Sequence, residues 1–162
     1  MSDTSVRRER RRVRRTPAGD AFSELWVRVF LLNGLFAAAG DALARPAGQT
    51  SARWQVLAAI EDRPATVAQI ARVLRLTRQS VQRVADLLAA DRLASYEDNP
   101  SHRRAKLLGL TDEGREVLSA IQDRQRAWAD SLGAEVGEAE LRGASAVLER
   151  VLAILSTRPP GR

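Results

Sequence analysis

The chain has 162 residues and a mass of 17.8 kDa, with 44% apolar and 28% charged residues, which gives room for one domain with a true core. It contains no cysteine and a single histidine, excluding a disulfide framework, a thiolate metal site, a cysteine redox switch and a histidine-built metal centre. Its 26 Lys and Arg against 20 Asp and Glu leave a formal charge of +6, unevenly spread: +4 over residues 1–20, −1 over 21–62, +5 over 63–106 and −2 over 107–162. A basic middle third between near-neutral flanks points to a polyanion bound by that third, where the counterion-releasing cations are concentrated.

Arg7 to Arg15 holds seven arginines in nine residues. Dense like charge with little apolar content predicts a disordered tail over 1–19, either solubilising or a non-specific nucleic-acid arm. The charge-free apolar run Val29 to Gly40 gives this end the look of an export signal. Against that reading, Glu24 and Arg28 fall between the basic and apolar runs, and Phe22, Leu25, Trp26, Val29, Leu32 and Phe36 recur at helical spacing. The run of 12 residues is also too short to span a bilayer. A packed amphipathic helix, a cytoplasmic location and no membrane partner are expected.

That first helix is predicted over about Asp20 to Leu43, ended by Arg45-Pro46-Ala47-Gly48, within an N-terminal segment 20–49. Thr50 or Ser51 caps a second, short helix whose apolar face is Trp54, Leu57, Ala58 and Ile60, broken at Asp62-Arg63-Pro64. Thr66-Val67-Ala68-Gln69 is a capping box, and Val67, Ile70, Ala71 and Leu74 follow at i, i+3, i+4 and i+7. A two-residue link, Arg75-Leu76, leads to a second cap at Thr77. The next helix buries Val81, Val84, Ala85 and Leu88 and carries Arg78, Gln79, Ser80, Gln82 and Arg83 in its first two turns. Two short helices joined this tightly form either a plain helical hairpin or a DNA-binding helix-turn-helix.

The following segment favours the second. Leu93 to Glu97 and Ala105 to Leu110 are strand candidates around the turn residues Asp98-Asn99-Pro100-Ser101, and Arg103 and Arg104 stand near the tip beside His102. A guanidinium-tipped ribbon next to a recognition helix suits the minor groove, whose narrow walls focus negative potential. Thr111 caps a long helix to about Leu132 with a stripe of Val117, Leu118, Ile121, Trp128 and Leu132. A last helix from about Ala139 to Leu155 repeats Leu141, Ala144, Val147, Leu148, Val151, Leu152 and Leu155. The apolar faces of the terminal helices suit either a two-fold dimer seam or intrachain packing.

The order of elements and several strings together resemble the MarR family, bacterial ligand-responsive winged helix-turn-helix regulators. The strings are Ser51 to Leu57, Thr66 to Ala71, Leu76 to Arg83, Asn99 to Leu107 and Leu110 to Arg115, and the resemblance spans about residues 20–156. One departure is His102, where the family's wing commonly carries an aspartate two positions before its second arginine; it is either an exposed loop residue or a pH sensor. The resemblance implies a mainly α fold with a small β-hairpin wing. A winged helix-turn-helix at 50–112 would be flanked by dimerisation helices at 20–49 and 113–156, with a flexible tail at 157–162.

The resemblance also implies a homodimer on a pseudo-palindromic operator of double-stranded DNA, acting as a repressor and released by a small aromatic ligand. Gln79, Ser80, Gln82 and Arg83 are expected at base edges, because glutamine matches adenine and arginine guanine with two hydrogen bonds each. Arg78 suits bases or phosphate. Thr66, Arg75 and Thr77 are expected at phosphates, and Arg103 and Arg104 in the wing contacts. Trp26, Phe30 and Trp54 are candidate liners of an effector cleft, or core. No nucleophile–base pair, phosphate-cradling loop, metal cluster or cofactor fingerprint is present, so neither catalysis nor a cofactor is expected. The alternative is a ligand-blind architectural or nucleic-acid-binding protein that uses its arginine tail.

Overall fold

The structure is a computed structural model that describes residues 15–102 and 104–158. The run Arg7 to Arg14, most of the arginine tail, lies outside the described residues, as do Arg103 and residues 159–162. The order is α1 (Pro17–Ala44), a 3-10 turn (Arg45–Ala47), α2 (Ser51–Ala59), β1 (Ala65–Thr66), α3 (Val67–Leu74), α4 (Arg78–Ala90), β2 (Ala94–Glu97), β3 (Leu107–Leu110), α5 (Asp112–Val136) and α6 (Glu138–Thr157). The fold is mainly α with a small antiparallel wing. It divides into two compact units, one up to Ala39 and one from Gly40.

The first unit is most of α1. The helix begins three residues before the expected Asp20, because Thr16 accepts from the Gly19 amide at 3.1 Å while Pro17 takes the first helical position, where no amide partner is needed. Trp26 and Phe30 pair on it with ring centroids 5.7 Å apart, and Glu24 pairs with Arg28 at 3.1 Å. Phe30, Leu31 and Leu35 are each about two-thirds exposed (67%, 66% and 67%). Over Pro17–Ala47 the helix is long and apolar enough to cross a membrane by length and composition. The charge-free run alone is not; continuation of the helix on both sides of it supplies the length.

The second unit contains the core: Val56 and Leu57 from α2 with Ile60 just after it, Ile70 and Ala71 from α3, Val81, Ala85 and Leu88 from α4, with Leu93, Ala94, Leu108 and Leu118. Of the expected face, Leu57 and Ile60 are buried and Trp54 is partly buried, while Ala58 is exposed and Val56 is buried in its place. The sheet has the order β1-β3-β2. Leu108 faces Ala65 on one side and Tyr96 on the other and is fully buried, which makes β3 the central strand. β1 is absent from the sequence expectation because it is two residues long and its Thr66 is also the cap of α3.

Close approach fixes two glycines. A Cβ on Gly114, in the first turn of α5, would lie 1.9 Å from the Leu93 carbonyl oxygen. One on Gly40 would lie 2.6 Å from Ser51 Oγ, where the end of α1 meets the start of α2 and Asp41 accepts from the Ser51 amide at 2.7 Å. The Thr111 hydroxyl donates to the Arg92 carbonyl at 2.7 Å and accepts from the Gly114 amide at 3.0 Å. One side chain thus caps α5 and ties it to the chain leaving α4.

Candidate nucleic-acid interface

The helix-turn-helix is assembled by its caps. Thr66 accepts from the Gln69 amide at 3.2 Å while Gln69 Oε1 accepts from the Thr66 amide at 2.8 Å, the reciprocal box expected from the sequence. Arg75 closes α3 in the left-handed conformation at φ 54°, a turn that lets the chain reverse within two residues. Thr77 then caps α4, accepting from the Ser80 amide at 3.1 Å, and its hydroxyl lies 2.8 Å from that of Ser80.

Burial of Val81, Ala85 and Leu88 turns the opposite side of α4 outward, and Arg78, Gln79, Ser80, Gln82 and Arg83 are all exposed. Arg78, Gln79 and Gln82 line a cleft of about 610 Å³ with Thr66, Val67 and Ala68 from the start of α3 and Tyr96, Arg104, Ala105 and Lys106 from the wing. Among the described residues, the lining contains three cations and no carboxylate. A shallow basic cleft beside an exposed polar helix start can take up a phosphate backbone while the helix addresses what lies next to it.

The expected site residues therefore fall into groups. Thr66, Arg78, Gln79, Gln82 and Arg104 share the cleft; Thr77, Ser80 and Arg83 lie on the exposed start of α4 outside its lining. Arg75 is turned elsewhere: its guanidinium donates to Ser156 Oγ on α6 at 3.1 Å. Arg103 lies outside the described residues. The wing turn is held by Asn99, whose side chain accepts from the Ser101 amide at 3.0 Å and whose carbonyl accepts from the His102 amide at 3.1 Å. His102 itself is exposed. Of the three aromatics considered for an effector cleft, Trp26 and Phe30 pair with each other in the first unit, and Trp54 packs half-buried against the core of the second.

Three contributors escape sequence reading. Lys106 lies inside a recognised string but is not singled out by it. Asp86 and Tyr96 form a triangle with Gln82. Gln82 Nε2 donates to Asp86 Oδ1 and to the Tyr96 hydroxyl, and that hydroxyl donates to Asp86 Oδ1, each at 2.8 Å. Burial, the hydrogen bond to Asp86 and its negative charge push the Tyr96 phenol up to about 12, against a smaller opposing effect of the Gln82 bond. The i, i+4 spacing of Gln82 and Asp86 is a sequence signal; the arrival of Tyr96 from β2 is not.

Residues 47–105 match the model of the MarR family. The uncharacterized protein Rv2011c of Mycobacterium tuberculosis is 41% identical over 141 residues, covering 87% of this chain and 99% of that protein. The Staphylococcus aureus MarR in complex with salicylate and kanamycin has a TM-score of 0.75 at 15% identity, over 85% of this chain and 94% of that one. The M. tuberculosis transcriptional regulator MOSR in complex with DNA has a TM-score of 0.64 at 23% identity, over 78% and 94% respectively. The winged fold, its capped helix-turn-helix and these matches agree: the chain belongs to the MarR family of transcription regulators.

Proposed function

We propose that the protein is a sequence-specific transcriptional repressor that acts in the cytoplasm as a homodimer on a pseudo-palindromic DNA operator. The observation that carries this reading is the exposed start of α4 next to a cleft lined by Arg78, Arg104 and Lys106, with no carboxylate among the described residues. Gln79, Ser80, Gln82 and Arg83 would meet base edges in the major groove. Arg78, Thr66 and Thr77 would sit at the backbone, with Arg103 and Arg104 along the wing. Arg75 would reach a phosphate only after leaving Ser156.

The homodimer is supported by helices that the chain does not cover. α6 has no buried residue, and Leu152 and Ile154 are more than half exposed, as are Trp26, Phe30 and Leu35 on α1. A second copy would cover such faces isologously and set two recognition helices about one DNA turn apart, roughly 34 Å. A small aromatic ligand that prefers a conformation with the wrong spacing would lower DNA affinity by population shift, as the likeness to the salicylate-bound MarR suggests.

The test is a titration of labelled duplexes, from the protein's own upstream DNA and from random sequence, at one salt concentration, with the molar mass in solution measured by light scattering. A dimer that prefers one upstream duplex and is displaced by salicylate bears the proposal out. Equal affinity for both duplexes overturns sequence-specific reading, a monomer overturns the two-fold arrangement, and a complex indifferent to salicylate overturns release by that ligand.

A further inference from the structure

The Gln82–Asp86–Tyr96 triangle limits what Gln82 can say to a base. The Asp86 carboxylate has no proton to give, so the end of the Gln82 amide that faces it must be the NH2, which fixes the amide orientation. An amide nitrogen carries two protons. Asp86 Oδ1 takes one and the Tyr96 oxygen the other, both at 2.8 Å, while the Tyr96 proton goes to Asp86. Every donor in the triangle is engaged. Gln82 Oε1 accepts no hydrogen bond among the described residues and is the one amide atom left to present outward.

We infer that Tyr96 and Asp86 convert Gln82 from a two-bond adenine reader into an acceptor-only reader, selective for a base that offers an exocyclic amino group in the major groove. This rests on the proposed reading of α4 as the base-facing helix. A free glutamine accepts from adenine N6 and donates to N7 at once; with both Nε2 protons held, only the first bond can form. Adenine N6 and cytosine N4 then satisfy Gln82, whereas guanine and thymine present acceptors at the equivalent edge and leave its oxygen facing oxygen. Tyr96 and Asp86 are positioning residues: neither needs to touch DNA. The high phenol pKa keeps Tyr96 protonated at neutral pH and well into the alkaline range, so its hydroxyl can donate to Asp86 there.

The experiment uses the full chain and the best duplex selected from a random pool. Comparison with Gln82→Ala locates the base that Gln82 reads, as the position where discrimination disappears. At that base, the amino group is removed by substituting purine for adenine, or 2-pyrimidinone for cytosine. In an adenine operator N7 is removed separately with 7-deazaadenine. For the unaltered protein we expect loss of the amino group to weaken binding by about tenfold, as for one directional hydrogen bond, and loss of N7 by about twofold or less. Tyr96→Phe, which keeps the ring but removes the acceptor, should free one Nε2 proton and create a sensitivity to N7 that the parent lacks.

Equal losses from the two modifications in the unaltered protein would show bidentate reading and overturn the inference while leaving Gln82 at the base. Indifference to removal of the pair's amino group would overturn it as well. If Gln82→Ala changes discrimination nowhere, or the pool yields no preferred duplex, the underlying reading of α4 fails instead. The modified-base comparison on the unaltered protein decides the matter even if Tyr96→Phe does not fold.

Discussion

Two helices of the second unit are built for opposite surroundings. α4 sends Val81, Ala85 and Leu88 into the core at 1% exposure or less and shows solvent its polar side. α6, longer at 20 residues, buries nothing and leaves Leu141, Val147, Leu152 and Ile154 open. The difference is one of backing: the side of α4 opposite its exposed polar start is packed into the core, and α6 has an apolar side with no such backing.

The largest expected effect breaks that comparison at its packed end. Leu88→Ala should cost roughly 2–5 kcal/mol in denaturant unfolding, because a fully buried leucine leaves a cavity that surrounding helices fill only in part. Leu152→Ala should act differently, moving the dependence of the unfolding midpoint on protein concentration, since the proposed dimer would bury this half-exposed side chain in an association step. If the two variants behave alike, at every concentration, α6 is not held by a second copy.

Glycines sharpen the same contrast. Gly114→Ala should destabilise by about 1–3 kcal/mol, as the methyl meets the Leu93 carbonyl and the start of α5 must move. At Gly143 on α6 an added methyl meets nothing within 4 Å, so alanine should stabilise the isolated chain by up to about 1 kcal/mol through helix propensity. A Gly143→Ala variant whose stability relative to the unaltered protein falls as the protein concentration rises would place a neighbouring copy against that turn.

Much of this was legible in the sequence because its signals are local. The Thr66–Gln69 box, the caps at Thr50, Thr77 and Thr111, and the 3/4 spacing of Ile70 and Leu74 or of Val81, Ala85 and Leu88 each lie within two turns of chain. What escaped depends on distant partners. Two residues of β1 cannot show an alternating pattern, and only pairing with β3 makes Ala65 and Thr66 a strand. The burial of Val56 follows from how α2 lies in the core and not from its own short periodicity. Arg75 meeting Ser156, 81 positions away, and Tyr96 reaching Gln82, 14 away, are products of the tertiary fold. The earlier start of α1 was available locally, in Thr16-Pro17, and the more conspicuous Asp20 obscured it.

On the polar side of α4 the comparison becomes one of binding. Arg83→Ala should cost roughly 1–3 kcal/mol on the preferred duplex and relax discrimination at one base pair per half-site. Arg104→Ala, from the cleft, should weaken preferred and random duplexes together and lower the slope of log affinity against log salt by about 1 per lost phosphate contact. An Arg83 variant that loses equally on all sequences, or an Arg104 variant with an unchanged salt slope, would exchange or remove these roles.

The smallest effect lies where α4 meets β2. Tyr96 is the one tyrosine in the chain, so phenolate absorbance reports it alone. Its phenol is raised from 10.0 to about 12 by burial first and Asp86 second, so the native state holds this proton more tightly than the unfolded chain does. The resulting stabilisation is fully present below pH 10 and is lost as the pH rises toward 12, because over that window the unfolded state gives up a proton that the native state keeps. Native protein should therefore show phenolate only near pH 12, the denatured chain near 10, and Asp86→Asn should bring the native value down by removing the charge while retaining an acceptor. Titration of the native tyrosine near 10 would mean that Tyr96 is neither buried nor bonded to Asp86, and would remove the hydrogen-bonded tie between α4 and the wing.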